Sequence, residues 1–385
     1  MRENVDVNLS DLLLLGQGSD LASERGVSCD GQLPPASDPD LVARARAARK
    51  KLGNNVLVLG HHYQRNEVIE FADITGDSFK LAQEAAKAEG IPNIIFCGVH
   101  FMAESADILT SDKQSVILPD LAAGCSMADM ATANQVFNCW SELENMGIAE
   151  KVIPVTYMNS SAAIKSFTGE HGGTICTSSN AEAAMKWAFT KGEKILFLPD
   201  QHLGRNTAVL SLGLSLEDCV LWNPWKPLGG LTEEAIKKAK VILWRGHCSV
   251  HGRFSIDSVN EIRNRVPGVQ VLVHPECTHQ VVSSADKIGS TEKIIQIVNN
   301  SPAGAKWAIG TEINLVQRIS QNNPDKEIYF LDKDICYCST MNRIDLPHLV
   351  WAMESLVNGR VVNQIRVDSQ VAKYSKLALE RMLAL

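Results

Sequence analysis

The stretch VILPDLAAGCS at residues 116–126 sets a short continuous apolar run against Pro-Asp and then a Gly-Cys-Ser turn. A near copy, LFLPDQHLGRN, stands at 196–206, and a looser third, YFLDKDICYCS, at 329–339. In each, a strand's length of apolar residues gives way abruptly to polar and small ones, as a buried parallel strand does on leaving its sheet. Seven further runs behave alike: NVLVLG, NIIFCG, KVIPVTY, GTICTS, KVILWRG, VQVLVHPE and KWAIGTE. Amphipathic helical patterns separate most of them, so the chain reads as α/β with parallel sheets. Ten strands are too many for one small doubly wound sheet. A second echo joins GHHYQ, TYMNS and GHCSVH, each after an apolar run, and self-similarity of this kind predicts three related units. Ligands of open α/β sheets sit beyond the carboxyl ends of the strands, so polar residues there are the ones to weigh.

The first helix is expected in SDPDLVARARAARKKLG, with Asp38 as cap, Pro39 at the first helical position and Gly53 past the end. The expected division is a flexible extension over 1–37 and α/β units over 38–130, 131–215 and 216–385, with the C-terminal helices packing back on the first. Of the 385 residues 45% are hydrophobic and 21% charged, which suits a well-buried globular protein. The net charge of −7 and the lack of a long basic run argue against nucleic acid as a partner. The N-terminus, MRENVDVNLSDLLLLGQGSD, lacks the bases and the long apolar core of a signal peptide, and no run is long enough to span a bilayer. The expectation is a cytoplasmic protein without a membrane partner, whose ten cysteines are thiols or metal ligands.

Cys97 and Cys176 fall in strand-like runs, Cys139 in a helical pattern, Cys219 in a connection and Cys29 in the extension, all positions where cysteine packs as a small apolar residue. Cys125, Cys248, Cys277, Cys336 and Cys338 differ in following directly on strands. There is no C-x-x-C pair, so neither a zinc ribbon nor a thioredoxin-like site is indicated. Core packing and a metal centre gathered from distant single cysteines both stay open. His61 in HHYQ and His274 in HPECTH also stand at strand ends, where ligands and acid/base groups sit. Between Pro275 and Cys277, Glu276 is expected to have its pKa raised by apolar surroundings toward general-base duty; the competing reading is a surface glutamate. Ser78, Tyr157, Asn159, Ser178 and Thr291 each precede a helical pattern. Each alone reads as an N-cap; together, with no Walker loop or GxGxxG, they point to a small anionic substrate.

Seven blocks carry a resemblance: GHHYQRNEVIEFADITGDSFKLA, LPDLAAGCSMADM, VTYMNSSAAIK, CTSSNA, WRGHCSVHGRF, HPECTHQVVSSADKIGST and CSTMNRIDLPHLVWAMESL. Together they resemble the quinolinate synthase family, the A protein of bacterial-type NAD biosynthesis, from about residue 40 to about residue 360. The resemblance implies three pseudo-symmetric, three-layer αβα domains with small parallel sheets around a central active-site cavity. It implies condensation of iminoaspartate with dihydroxyacetone phosphate to quinolinate, with loss of phosphate and water, and functional coupling to an L-aspartate oxidase. It also implies a [4Fe–4S] cluster with three cysteine ligands and one open iron acting as a Lewis acid. The ligands fall on Cys125, Cys248 and, by the C-x-T-M block, Cys338. Cys336 is left to pack or to tune the cluster, since a disulfide to Cys338 would close a strained small ring.

Catalytic roles fall on Glu276, Tyr63, Tyr157 and His274. Substrate contacts fall on His61, Ser78, Tyr157, Asn159, Ser178, His274, Glu276 and Thr291, with Ser179 as the alternative to Ser178. Two other classes use parts of this set: an aconitase-type [4Fe–4S] hydro-lyase, and an iron–sulfur sensor or electron carrier.

Overall fold

The computed structural model describes residues 33–334 and 337–385. The first sheet holds β1 (Val56–His61), β2 (Ile74–Gly76), β3 (Asn93–Cys97) and β4 (Ser115–Ile117). The second holds β5 (Val152–Tyr157), β6 (Thr174–Cys176), β7 (Lys194–Leu198), β8 (Cys219–Trp222) and β9 (Val241–Trp244). The third holds β10 (Gln270–Val273), β11 (Lys287–Ile288), β12 (Lys306–Gly310) and β13 (Glu327–Phe330). A last strand, β14 (Gln364–Ile365), returns to pair antiparallel with β4; every other pairing is parallel. Helices flank the sheets, giving an α/β fold of three-layer αβα character.

All ten apolar runs are strands. The orders β2-β1-β3-β4, β6-β5-β7-β9 and β11-β10-β12-β13 are one pattern, second-first-third-fourth, written three times. The second sheet adds a parallel edge strand, β8, and the first the antiparallel β14. In each sheet the chain reverses its direction of travel between the first and third strands, and the loops leaving those strands carry the site residues described below.

Two expectations about boundaries differ from what is seen. The division at 215/216 falls inside the second sheet, because β8 and the helix Glu233–Lys238 are inserted before β9, which pairs with β7 from Ile195↔Val241 onward. Cys219 accordingly opens β8 and is not in a connection. The first helix is Leu41–Leu52, capped geometrically at Asp40; Asp38 accepts the Asp40 N–H at 2.9 Å and pairs with Arg44 at 2.7 Å. Residues 1–32 lie outside the described residues, while Leu33 already packs on the core.

One apolar core runs through the first and second sheets and the C-terminal helices. The third sheet has separate clusters on its two faces. Of the C-terminal helices, Leu346–Val357 packs on the first helix, whereas Ser369–Leu383 packs chiefly on Ala162–Glu170 beside the second sheet. Gly169 allows that approach: a Cβ there would sit 1.9 Å from Tyr374 O.

Candidate active site

A cavity of about 370 Å³ lies where the loops leaving the three sheets meet. His61, Tyr63, Ser78, Tyr157, Asn159, Ser178, His274, Glu276, Thr291, Cys125, Cys248 and Cys338 all line it. They come from segments up to 277 residues apart in the chain, so only the fold can have gathered them. Ser178 faces the cavity, while Ser179 donates its hydroxyl proton to Asp77 at 2.8 Å. The hydroxyls expected as caps are not caps. Asp77 and Ser290 cap the helices that begin at Ser78 and Thr291, and Asn180 precedes the helix after Ser178, which leaves all three hydroxyls to the cavity. Asn159 Oδ1 is buried with no partner.

The three cysteines share a local construction. Each is followed by serine, at 125–126, 248–249 and 338–339, and each opens a helical turn whose backbone N–H groups point back at sulfur. The donors are Ala128 and Met127 for Cys125, His251 for Cys248, and Met341 and Thr340 for Cys338. Burial pushes all three thiols up, Cys125 to about 12, against the pull of these donors. Charge on Cys338 would raise both others further, so the thiols are near neighbours. Three converging thiols, each with backbone donors, suit a cationic metal centre that would hold them as thiolates. Cys277, by contrast, is buried in the apolar cluster of the third sheet, its thiol 3.8 Å from Gly310 O, and acts in packing. Cys336 lies outside the described residues, and the eight described cysteines are free thiols.

Glu276 is the hub of the acid/base groups. Tyr157 donates its phenol proton to Oε1, and His251 Nδ1 lies 2.8 Å from Oε2. From there His251 Nε2 reaches Thr311 Oγ1 at 3.1 Å, and Thr311 reaches Tyr63 OH at 2.9 Å. One direction of donation satisfies the whole chain: Tyr63 to Thr311, Thr311 to His251, His251 to Glu276. The two tyrosines of the cavity are thereby joined through one carboxylate. The expected upward shift of Glu276 is overturned. Burial pushes it up, but His251, His274 and the Tyr157 hydroxyl outweigh burial and hold the carboxyl down at about 2. His274 stands in HPECTH itself, but Tyr157 and His251 come from parts of the chain that this local sequence does not reveal.

Two histidines repeat one device. His61 Nδ1 accepts the Tyr63 N–H at 3.1 Å, and His274 Nδ1 accepts the Glu276 N–H at 3.3 Å. Burial holds each ring's pKa down at about 3, so both are neutral near pH 7, with the ring proton on Nε2 as a donor. His251, Thr311 and Asp77 were not singled out from the sequence. His251 carried a signal, standing three residues after Cys248 in GHCSVH, and it stacks on His274 with ring centroids 4.3 Å apart.

The family model described as Quinolinate synthetase A protein matches residues 44–384. A quinolinate synthase of Streptomyces coelicolor is 69% identical over 97% of this chain and 95% of its own length. One of Nocardioides sp. is 66% identical over 97% of this chain and 96% of its own. One of Bacillus subtilis is 52% identical over 91% and 94%. With the cavity, its thiols and its acid/base network in view, these similarities place the chain in the quinolinate synthase family, enzymes of NAD biosynthesis.

Proposed function

We propose that this cavity condenses iminoaspartate with dihydroxyacetone phosphate to quinolinate, with release of phosphate and water, in the cytoplasm. The observation that carries the reading is the meeting of three Cys-Ser turns with the Tyr157–Glu276–His251 network around one cavity of about 370 Å³. Its size suits a small acid and a triose phosphate together. No helix among the described residues is long and apolar enough to cross a membrane.

Cys125, Cys248 and Cys338 would hold a [4Fe–4S] cluster. When bound with only three protein thiolates, such a cluster supplies a Lewis-acid iron at the cavity wall. The chain's own groups do the rest. The Nε2–H donors of His61 and His274, with the hydroxyls of Ser78, Ser178 and Thr291, bind carboxylate and phosphate oxygens without carrying charge of their own. Asn159 Oδ1, lacking a partner, accepts from a substrate N–H or O–H. Glu276, ionised near neutral pH, takes a proton from the substrate carbon chain at its carboxylate oxygen. The two tyrosines orient that chain, their phenol oxygens facing it as acceptors while their protons are held by Glu276 and Thr311. Enclosure of both reactants turns a bimolecular condensation into an effectively intramolecular one. Iminoaspartate hydrolyses readily in water, which suits supply by a coupled L-aspartate oxidase.

The test is anaerobic purification of the full chain followed by an assay for quinolinate from the two reactants. The protein is expected to be brown, with about four irons per chain, and to need dihydroxyacetone phosphate but no electron donor. Cys125→Ala, Cys248→Ala and Cys338→Ala are expected to lose the iron and the activity together. Turnover of a single hydroxy acid without the triose would replace this reading with a hydro-lyase. A full cluster in Cys338→Ala would remove that ligand.

A further inference from the structure

We propose that Asn206 is a positioning residue for Glu276, an inference that rests on the reading of Glu276 as the acid/base group. Asn206 is 3% exposed and ends the helix Gln201–Asn206 beside the second sheet, just before the turn Thr207–Ser211 widens to π geometry. Both of its amide protons cross to the third sheet's loop. Nδ2 donates to Pro275 O at 2.8 Å and to Cys277 O at 2.9 Å, the two carbonyls that bracket Glu276 in the chain. Oδ1 faces His279 Nδ1 at 2.9 Å, which fixes which way round the amide sits.

The geometry gives these bonds a direction-setting role. Peptide planes are rigid, so Asn206 on the Pro275 carbonyl fixes the plane entering Glu276, while the Cys277 N–H on His274 O fixes the plane leaving it and Asn206 on the Cys277 carbonyl anchors the next; the two flanking planes set the direction of the Glu276 Cα–Cβ bond. The other side of the same turn is tied to the third sheet, where His274 N–H donates to Gly310 O at 3.1 Å and Cys277 N–H to His274 O at 3.0 Å. Glu276 is therefore set from two sheets at once. The second sheet holds its carboxylate through Tyr157 and its backbone through Asn206. Tyr157 and His251 hold the tip of the side chain, and Asn206 holds the backbone from which it springs. A shift of about 1 Å in a reacting group can cost on the order of 100-fold in rate.

The experiment uses the full chain with its cluster loaded anaerobically. Asn206→Ala is expected to lower kcat by about 10- to 100-fold while KM for each reactant stays within about twofold. Amide exchange over residues 274–279 is expected to quicken in the same variant, with iron content unchanged. His279→Ala keeps both carbonyl bonds and is expected near wild type. On the residual rate of Glu276→Gln, adding Asn206→Ala is expected to change kcat by less than about threefold, because the group it positions is already gone. Wild-type kcat in Asn206→Ala, a fully additive loss in the Glu276→Gln background, or unchanged exchange at 274–279 would overturn the proposal. Should the alanine variant fail to fold, Asn206→Asp keeps the shape and removes the donors, with the same kcat loss expected; failure of both to fold assigns Asn206 to the fold alone. Full turnover by Glu276→Gln would instead bring down the reading of Glu276, whatever Asn206 does.

Discussion

Across the seam between the first and second sheets, the helices His100–Leu109 and Ala162–Glu170 pack with Ser369–Leu383 into one shared apolar core. Across the seam to the third sheet the named contacts are of another kind. Tyr63 meets Thr291 and Thr311, His62 meets Glu292, Tyr157 meets Glu276, and Asn206 meets the Pro275 and Cys277 carbonyls. Apolar burial stabilises without regard to direction, at roughly 25 cal/mol per Å². A hydrogen bond adds only about 1 kcal/mol net, yet it fixes where its partners point. The first seam is built to hold and the second to aim.

The largest effect that could break this contrast is on Glu276. Glu276→Gln keeps the shape and the contact to Tyr157 but removes the proton acceptor. A fall of about 10²- to 10⁴-fold in kcat is expected, with a melting midpoint close to wild type. A collapse in thermal stability comparable to that of a core truncation would mean that the polar seam holds the molecule together, and the contrast would fail.

The next effect is on stability, at a buried charge of the apolar seam. Lys165 is fully buried and donates from Nζ to Phe101 O at 3.0 Å and Ser105 Oγ at 2.8 Å. Burial lowers its pKa from 10.5 to about 8, with Glu104 pulling the other way. Between those values the unfolded chain binds the proton and the folded one sheds it, so this group's contribution to stability rises as pH rises from about 8 to 10.5. At about 1.4 kcal/mol per pH unit the full span is roughly 3 kcal/mol. In Lys165→Met, Phe101 O still accepts from Ser105 Oγ at 2.8 Å. The variant is therefore expected to stand higher relative to wild type at pH 7.5 than at pH 10, by denaturant titration, with kcat retained. A difference that does not change with pH would show that the lysine is not the strained charge described here.

The same contrast explains what could be read from the sequence. The ten apolar runs were legible because a strand covered on both faces has an apolar side chain at nearly every position. Of the four strands outside those runs, β2, β11 and β14 are two or three residues long, too short for a pattern, and β11 is exposed at both its residues, whereas β8, Cys-Val-Leu-Trp, is apolar throughout and carries the same signal. The site was legible only in its letters. Cys-Ser occurs three times, and it separates Cys338 from Cys336, which tyrosine follows. The charge state of Glu276 was not legible at all, since Tyr157 is 119 residues away and His251 is 25. A polar seam is made of distant pairs, and local pattern carries no information about them.

The smallest expected effect tests whether ion pairs add anything to the apolar core of which the first seam is part. Arg44 lays a two-pronged fork on Glu354, Nε to Oε1 at 2.9 Å and a terminal nitrogen to Oε2 at 2.7 Å, and touches Asp38 at 2.7 Å. It joins the first helix to Leu346–Val357, whose Leu346, Leu349, Val350, Ala352 and Met353 are already buried. Arg44 and Glu354 are each about one-third exposed, so water and salt screen the pair. Arg44→Ala is expected to cost no more than about 1 kcal/mol in a denaturant titration, and less still in about 1 M salt. Arg44→Lys keeps the charge without the planar fork and is expected to recover only part of the loss. A cost of several kcal/mol that persists in salt would mean that the fork, and not the apolar face beneath it, docks the helix. The apolar core that the first seam shares would then depend on direction as well as burial, and the division between apolar contact for stability and polar contact for aim would have to be given up.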